Sequence, residues 1–366
     1  MRVVHVVHSL QWLGGVEEHV AGLASGLSEL GVDVEILCGG SGDPGHLPAW
    51  PVGDVPVRWH PKRKVVGRYS IPIGIGRSIR RSARTVDIVH VHQPFFSGTW
   101  IAAATRAPLV ATFYLHPEHV MGRSRWRHRQ QLRLLLGRVD LVASVSDAER
   151  TLIRGLRAPR SECVVRPGIA RLPPARTGPP PERPLVLAVA RLVREKGIEA
   201  VLRAAALSSG VADWVIVGDG RDRREFEELC ERLGLDVKST LRGRVGEDEL
   251  AQLYRSASHF VSASAQESFG IAVMKAVANG CTPVVSDIAP HREIVEALGV
   301  TYASLFPLPA NPAHIAEAIL RERADPDAVG PDNLVPTWSD VARDMLGAYE
   351  VLLAGDRRHS FSGRAC

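Results

Sequence analysis

The chain has 366 residues, 45% of them hydrophobic and 5% aromatic. That is ample apolar surface for packed cores, so wholesale disorder is excluded, and the length suggests about two domains. Residues 1–170 carry 22 Lys+Arg against 13 Asp+Glu, whereas residues 171–366 carry 23 against 27. The basic first half favours an anionic partner or surface.

The five cysteines, Cys38, Cys163, Cys230, Cys281 and Cys366, are scattered and form no C-x-x-C pair. A disulfide frame or zinc knuckle is therefore not expected, and a reducing compartment is. Met1 leads directly into the strand-like RVVHVVHSL, without signal-peptide features. The longest uncharged run, 297–316, is broken by Pro307, Pro309 and Pro312, which argues against a membrane span. The expectation is a soluble, cytoplasmic protein.

In chain order, residues 2–8 read as an apolar strand and Gly14-Gly15 as a loop. Val16, Val20, Leu23, Leu27 and Leu30 then lie on one helical face, ended by Gly31. Residues 32–37, 87–92, 108–115 and 139–146 read as further strands, with helical stretches between them. The proline-rich segment RLPPARTGPPPERP, 171–184, reads as a semi-rigid linker and domain boundary.

The pattern then restarts with strands at 185–191, 214–218, 240–245, 260–264 and 283–287. Ile198, Val201, Leu202 and Ala205 mark one helix between them, and Phe226, Leu229 and Leu233 another. Val341, Met345, Leu346 and Tyr349 mark a closing helix, and the tail 355–366 reads as polar and frayed. Strands alternating with helices imply parallel sheets covered on both faces. The expected fold is α/β: two Rossmann-like doubly wound domains facing a cleft, where the ligands of such sheets bind.

Several motifs bear chemistry. Gly14 and Gly15 stand between a strand and a helix, where backbone can approach phosphate or sugar; an ordinary tight turn explains them equally well. Arg191 and Lys196 flank the first loop of the second domain, in ARLVREKG. Two cations there suit a diphosphate, and a solvated loop with Glu195 as partner suits them too. SASAQESFGIAVMKA is more informative. A helix starting near Gly270 would aim the N–H groups of Phe269, Gly270 and Ile271 outward, while Glu267, at the strand's carboxyl end, accepts from sugar hydroxyls. Lys275, eight residues on, would share a helical face with Glu267.

Other motifs weigh less. His5, His8, His90, His92, His116 and His119 fall near strand ends without the spacing of a metal site, so they read as cleft-lining donors to polyols. Gly218-Asp219-Gly220 reads as a turn, and Asp325-Pro326-Asp327 as a coincidental D-x-D. The basic segments 59–69 and 123–133, with Trp59, Tyr69 and Trp126, suit an anionic lipid surface, although solvated loops and helix faces account for them better.

In order, these motifs resemble the family 4 retaining glycosyltransferases of the two-Rossmann GT-B architecture, over nearly the whole chain. The resemblance rests on GGVEEHVAGLASGL, VDIVHVH, VDLVASVSDAE and RPGI, then LAVARLVREKGIEAVLRAA, IVGDG, LRGRV, ESFGIAVMKAVANGCTPVVSD and PHREIV. It implies an acceptor-binding domain at 1–170, a nucleotide-sugar domain at 185–335 and a closing helix at 336–354 that crosses back to the first domain. It places Arg191 and Lys196 on the donor diphosphate and Glu267 on the donor sugar. Gly14 and Gly15 fall near the diphosphate, and Arg244 and Val245 near the base. Two positions depart from the pattern: Lys275 replaces the second acid of E-x7-E, and the T-x-H histidine arrives late, at His116.

The resemblance implies a hexosyltransferase that moves a hexose-like sugar from a nucleotide diphosphate to an acceptor hydroxyl with retention, by same-face substitution. Arg191, Lys196, Glu267 and His116 would carry the reaction. The nucleotide sugar is substrate, and no cofactor, metal or nucleic-acid partner is expected. Peripheral association with the inner face of the membrane stays open through the basic first domain. The alternatives are an impaired homologue acting as a binding or partner subunit, motivated by Lys275, and a nucleotide-sugar epimerase.

Overall fold

A computed structural model describes residues 1–8, 10, 14–40, 53–66, 69–72, 74–82, 85–94, 105–121, 125–170, 183–321 and 335–355. Most of the segment read as a linker, the Asp325-Pro326-Asp327 motif and the tail beyond Gly355 lie outside the described residues. The chain divides into two compact units, Met1–Ala170 with Pro336–Ala365, and Arg171–Val335.

The first unit begins β1 (Arg2–Val7), α1 (Gly15–Glu29), β2 (Asp33–Gly40), β3 (Val57–Val66), β4 (Tyr69–Pro72), α2 (Ile75–Ser82) and β5 (Ile88–His92). It continues with β6 (Leu109–Thr112), α3 (Pro117–Val120), α4 (Trp126–Leu136), β7 (Leu141–Ser144), α5 (Asp147–Leu156) and β8 (Glu162–Val164). Its sheet has the order β4-β3-β2-β1-β5-β6-β7-β8. Every neighbouring pair is parallel except β3 with β4.

Both faces are covered, which is why the valines of β1 are buried on both sides of the strand instead of alternating with exposed residues. Val3 and Val7 pack with Val20, Leu23 and Leu27 of α1, while Val4 and Val6 pack on the other face with Ile79, Leu132 and Leu136. The β3–β4 hairpin corrects the sequence reading of 59–69 as loop or helix face. Lysines, arginines and Pro61 hide its strand pattern, as suits the edge of a sheet. Trp59 packs against the core and so is not available as a membrane anchor, whereas Trp126 at the start of α4 is 57% exposed.

The second unit contains β9 (Leu185–Val189), a 3-10 turn (Arg194–Lys196), α6 (Ile198–Leu207), β10 (Asp213–Val217), α7 (Arg223–Arg232), α8 (Val237–Thr240) and β11 (Leu241–Gly243). After these come α9 (Glu247–Ser256), β12 (His259–Ser262), α10 (Ile271–Ala278), β13 (Thr282–Ser286), α11 (Ala289–Ala297), β14 (Ser304–Phe306) and α12 (Pro312–Leu320). Its all-parallel sheet has the order β11-β10-β9-β12-β13-β14. Short strands at 162–164 and 304–306, and the β3–β4 hairpin, were not expected from the sequence.

The last helix, α13 (Trp338–Leu353), belongs to the first unit. Thr337 and Asp340 form a capping box at its start, and Ile169 N–H donates to Pro336 O at 3.0 Å. The helix lies on α1, where glycines allow the approach. A Cβ on Gly22 would stand 2.2 Å from the Trp338 ring, and one on Gly26 would stand 2.7 Å from Trp338 O.

Candidate functional site

In a doubly wound sheet the ligand crevice opens where the strand order reverses, beyond the carboxyl ends of the strands. In the second unit that point lies between β9 and β12, which pair directly. The loop after β9 turns through Arg194–Lys196 and stops at Gly197, whose φ is +66°. Ala263 O lies 2.2 Å from where a Cβ of Gly197 would stand, so the residue must be glycine. Ala265 N–H donates to Glu195 O at 3.1 Å, tying this turn to the loop after β12.

The junction brings two of the expected residues together. Lys196 Nζ donates to Glu267 Oε1 at 2.5 Å, with side-chain exposures of 15% and 21%. Burial opposes the charge on Glu267, but Lys196, then His291, then hydrogen bonds from Lys196 and Ser264 hold its carboxyl below the ordinary range. Glu195 is not the partner of Arg191 or Lys196; it pairs with Arg221 at 2.6 Å. Arg191 is exposed, leaving one cation outside the pair.

Gly270 caps α10 with φ +114°. Its carbonyl accepts from Val273 N–H at 2.9 Å and Met274 N–H at 3.2 Å. The helix therefore begins at Ile271, so Phe269 and Gly270 precede its first turn. The N–H groups of Ile271 and Ala272, not those of 269 and 270, stand at its terminus. Glu267 lies three residues before the cap, so helical spacing does not relate it to Lys275, which occupies the second turn. Arg244 follows β11, with Nε 3.8 Å from Asp219 Oδ2, and Val245 lies beside it.

Sequence reasoning missed His291, on α11. Its ring is fully buried, and Nδ1 lies 2.9 Å from Ser286 O. A carbonyl only accepts, so Nδ1 carries the hydrogen and Nε2 is the bare nitrogen of the neutral ring. Nε2 has no hydrogen-bond partner and lies 3.8 Å from where a Cβ of Gly270 would be. Burial, opposed by Glu267, keeps this imidazole below its ordinary pKa. The only sequence signal was its place in PHREIV.

In the first unit the strand order reverses between β1 and β5. Gly14 caps α1 just beyond β1, and Glu17 and Glu18 occupy the first turn of that helix. Three of the six histidines read as cleft lining are core residues, while His8, His116 and His119 are half-buried. His5, His90 and His92 are 0%, 0% and 2% exposed. His5 Nδ1 meets His92 Nε2 at 2.9 Å, His92 Nδ1 meets the Tyr114 hydroxyl at 2.9 Å, and His90 bridges the Tyr349 hydroxyl at 2.7 Å and Thr112 Oγ1 at 2.9 Å. Burial lowers the pKa of His5 and of His19 to about 3. Ring nitrogens of His5, His90 and His92 lie within 4.8 Å of one another, which is metal-ligand proximity; both nitrogens of His90 and His92 are engaged in this hydrogen-bond network, while His5 Nε2 is buried without a partner.

His116 caps the short helix α3, its ring centroid 3.7 Å from that of His119. The preceding loop is held by Glu149, whose carboxylate accepts from Leu115 N–H and Val145 N–H, each at 2.7 Å. Tyr114 adopts φ +56° there, an uncommon conformation for a tyrosine. Among the described residues, no helix is long and apolar enough to cross a membrane.

Two family profiles match the chain: "Glycosyl transferase 4-like domain" over residues 14–168 and "Glycosyl transferases group 1" over residues 173–328. The chain belongs to the group 1 glycosyltransferases.

An uncharacterized glycosyltransferase of Methanocaldococcus jannaschii is 31% identical over 179 residues, 46% of this chain and 45% of that protein. The chain spans about half the length of this relative and of the alpha-monoglucosyldiacylglycerol synthase of Streptococcus pneumoniae, of which it covers 53%. A GDP-mannose-dependent alpha-mannosyltransferase of Mycolicibacterium smegmatis is 27% identical over 96% of this chain and 98% of its own. The crystal structure of Anabaena HepE, in complex with UDP and glucose, superposes with a TM-score of 0.75 at 17% identity, over 95% of this chain and 99% of that one. The α/β units are thus those of the GT-B architecture. Within this member of the family, Lys196, Glu267, the start of α10 and Arg244 all lie at the carboxyl edge of the second sheet.

Proposed function

We propose that this glycosyltransferase moves a hexose-like sugar from a nucleotide diphosphate to an acceptor hydroxyl with retention of anomeric configuration. The observation that carries the reading is the Lys196–Glu267 pair at the switch point of the second sheet, beside the first N–H groups of α10.

Arg191 and Lys196 would neutralise the diphosphate and stabilise it as it departs, without a metal. Glu267 would accept from the sugar hydroxyls and fix the sugar, with the Ile271 and Ala272 amides as further donors. Arg244 and Val245 would face the base. Gly14, Gly15 and His116 would serve the acceptor-binding unit, His116 at the transfer site. Same-face substitution suits this equipment: the leaving phosphate takes the acceptor proton, and the protein supplies positioning and charge. The basic α4, with Trp126 exposed, supports a peripheral contact with anionic lipid.

The test is incubation of the purified chain with UDP-, GDP- and ADP-hexoses and a panel of hydroxyl acceptors. Expected are acceptor-dependent release of nucleoside diphosphate and an α-linked product by NMR. Binding of a nucleotide sugar with no turnover on any acceptor would instead favour the binding-subunit reading that Lys275 motivates, and an inverted product would overturn retention.

A further inference from the structure

His291 is buried beneath the proposed donor site and is used by nothing described so far. Three observations place it there. Its Nδ1–H is fixed on Ser286 O, and Ser286 Oγ donates to Ser264 O at 2.5 Å, so the ring cannot flip without breaking a buried chain of hydrogen bonds. Its Nε2 is fully enclosed and unpartnered, beside Gly270 at the start of α10. An enclosed acceptor without a donor is costly unless some state of the protein uses it. The charged groups acting on the ring are Glu267 and Lys196, from the loops after β12 and β9. On its own helix Arg292 is turned to Asp287, with Nε 2.5 Å from Oδ1.

In the free protein Lys196 and Glu267 balance each other, and Arg191 is a further, exposed cation in the same loop. A diphosphate brings at least two further negative charges, which engage Lys196 as well as Arg191 and so draw Lys196 away from Glu267. Lys196 cannot neutralise both Glu267 and the diphosphate, and in a part-buried site the uncompensated charge is not dispersed by water. His291, which acts electrostatically on Glu267 and carries a bare Nε2, is a group there able to gain positive charge.

We propose that His291 is a positioning residue that takes up a proton at Nε2 when a nucleoside diphosphate binds, replacing Lys196 as the counter-charge of Glu267. The inference rests on the donor-site reading above. The proton comes from solvent, Nδ1–H stays on Ser286 O, and no bond within the ligand changes. Glu267 then keeps its charge and orientation toward the sugar while Lys196 serves the diphosphate. Loss of the diphosphate product would return the proton, so product release should be favoured as pH rises through the range where His291 titrates in the complex.

The experiment is calorimetric titration of UDP, GDP and ADP into the full chain near neutral pH, in PIPES and in Bis-Tris, whose ionisation enthalpies differ. Proton uptake is read from the difference in observed heat. The ligand's own phosphate titrates too, so wild type is compared with His291→Asn, whose amide still donates to Ser286 O but offers no base. Wild type should take up a measurable fraction of a proton more than His291→Asn, and Glu267→Gln should lose the same fraction. Equal uptake by wild type and His291→Asn, with both binding, overturns this proposal and leaves the donor site standing. Absence of binding by wild type for all three diphosphates overturns the donor-site reading and this inference with it. Should His291→Asn fold poorly, ¹⁵N-histidine spectra of wild type decide instead. The Nε2 resonance must move from the bare-nitrogen range toward the protonated range on adding the diphosphate, and an unmoved resonance overturns the proposal.

Discussion

Lys196 and Glu267, 71 residues apart in sequence, meet at 2.5 Å because β9 and β12 are neighbours in the second sheet and their exit loops are hydrogen-bonded together. The contact makes Lys196 structural as well as chemical, and this separates it from Arg191.

Arg191→Ala and Lys196→Ala should each lower transfer by on the order of 10², the scale for losing one preorganised donor to a developing anion. Their stabilities should differ. Removing Lys196 leaves Glu267 part-buried and unpaired, at about 1–3 kcal/mol, whereas Arg191 is exposed and its loss should leave the melting temperature unchanged. Equal melting temperatures in the two variants would contradict the pairing, and full turnover in the double variant would remove both cations from the donor.

Glu267→Gln should keep the fold and lose most activity, because an amide accepts fewer hydrogen bonds from sugar hydroxyls than a carboxylate does. The carboxyl pKa is held below its ordinary 4.5, so the pair's stabilisation is complete above that pH and disappears as pH falls through the depressed value. Acid denaturation monitored by circular dichroism should therefore lose this pH-dependent component in Glu267→Gln. Undiminished transfer would place the sugar elsewhere.

The histidine network of the first unit predicts acid sensitivity. His5 and His19, at about 3 when folded and 6.5 when unfolded, bind protons in the unfolded chain first. Stability should be constant above about pH 6.5 and fall as pH drops toward 3, by about 2 kcal/mol between pH 7 and 5 for each histidine kept neutral. Urea titrations at the two pH values measure this directly. A flat profile would mean these rings are protonated or solvated in the native state.

Gly22→Ala should destabilise the first unit by about 1–3 kcal/mol, since the added methyl falls on the Trp338 ring and α1 and α13 must separate. Gly155→Ala, with nothing within 4 Å of the new methyl, is the control and should not lower stability. Thermal unfolding of the two variants distinguishes packing at α13 from a general effect of alanine.

Lys275 occupies the second turn of α10, whose start lies at the proposed donor site. If its ammonium serves the nucleotide, Lys275→Ala should weaken binding of a nucleoside diphosphate and flatten its salt dependence, while Lys275→Glu should restore an acceptor for ribose hydroxyls. Identical affinity of wild type and both variants would make the replacement of the second acid incidental.

The sequence by itself determined the fold class, because alternation of apolar strands with helical periodicity leaves few ways to bury both sheet faces. It also determined that Lys196 and Glu267 stand at strand ends, since each follows a strand and precedes a helix. The β3–β4 side of the first sheet was illegible: the segment 57–72 carries lysine, arginine and proline, which erase the pattern that identifies a strand. Helical spacing alone puts Glu267 and Lys275 on one face, but the positive φ of Gly270 starts the helix after Glu267, a conformation no periodicity reports. His5, His90 and His92, which read as cleft residues, are interior, because only strand register shows that they lie on the covered face of the sheet, where His5 bonds His92 and His90 bonds Tyr349 and Thr112. His291 entered the site for the same reason: its place beside Gly270 and its electrostatic influence on Glu267 depend on how β12, β13 and their helices pack, and that was decided by tertiary structure alone.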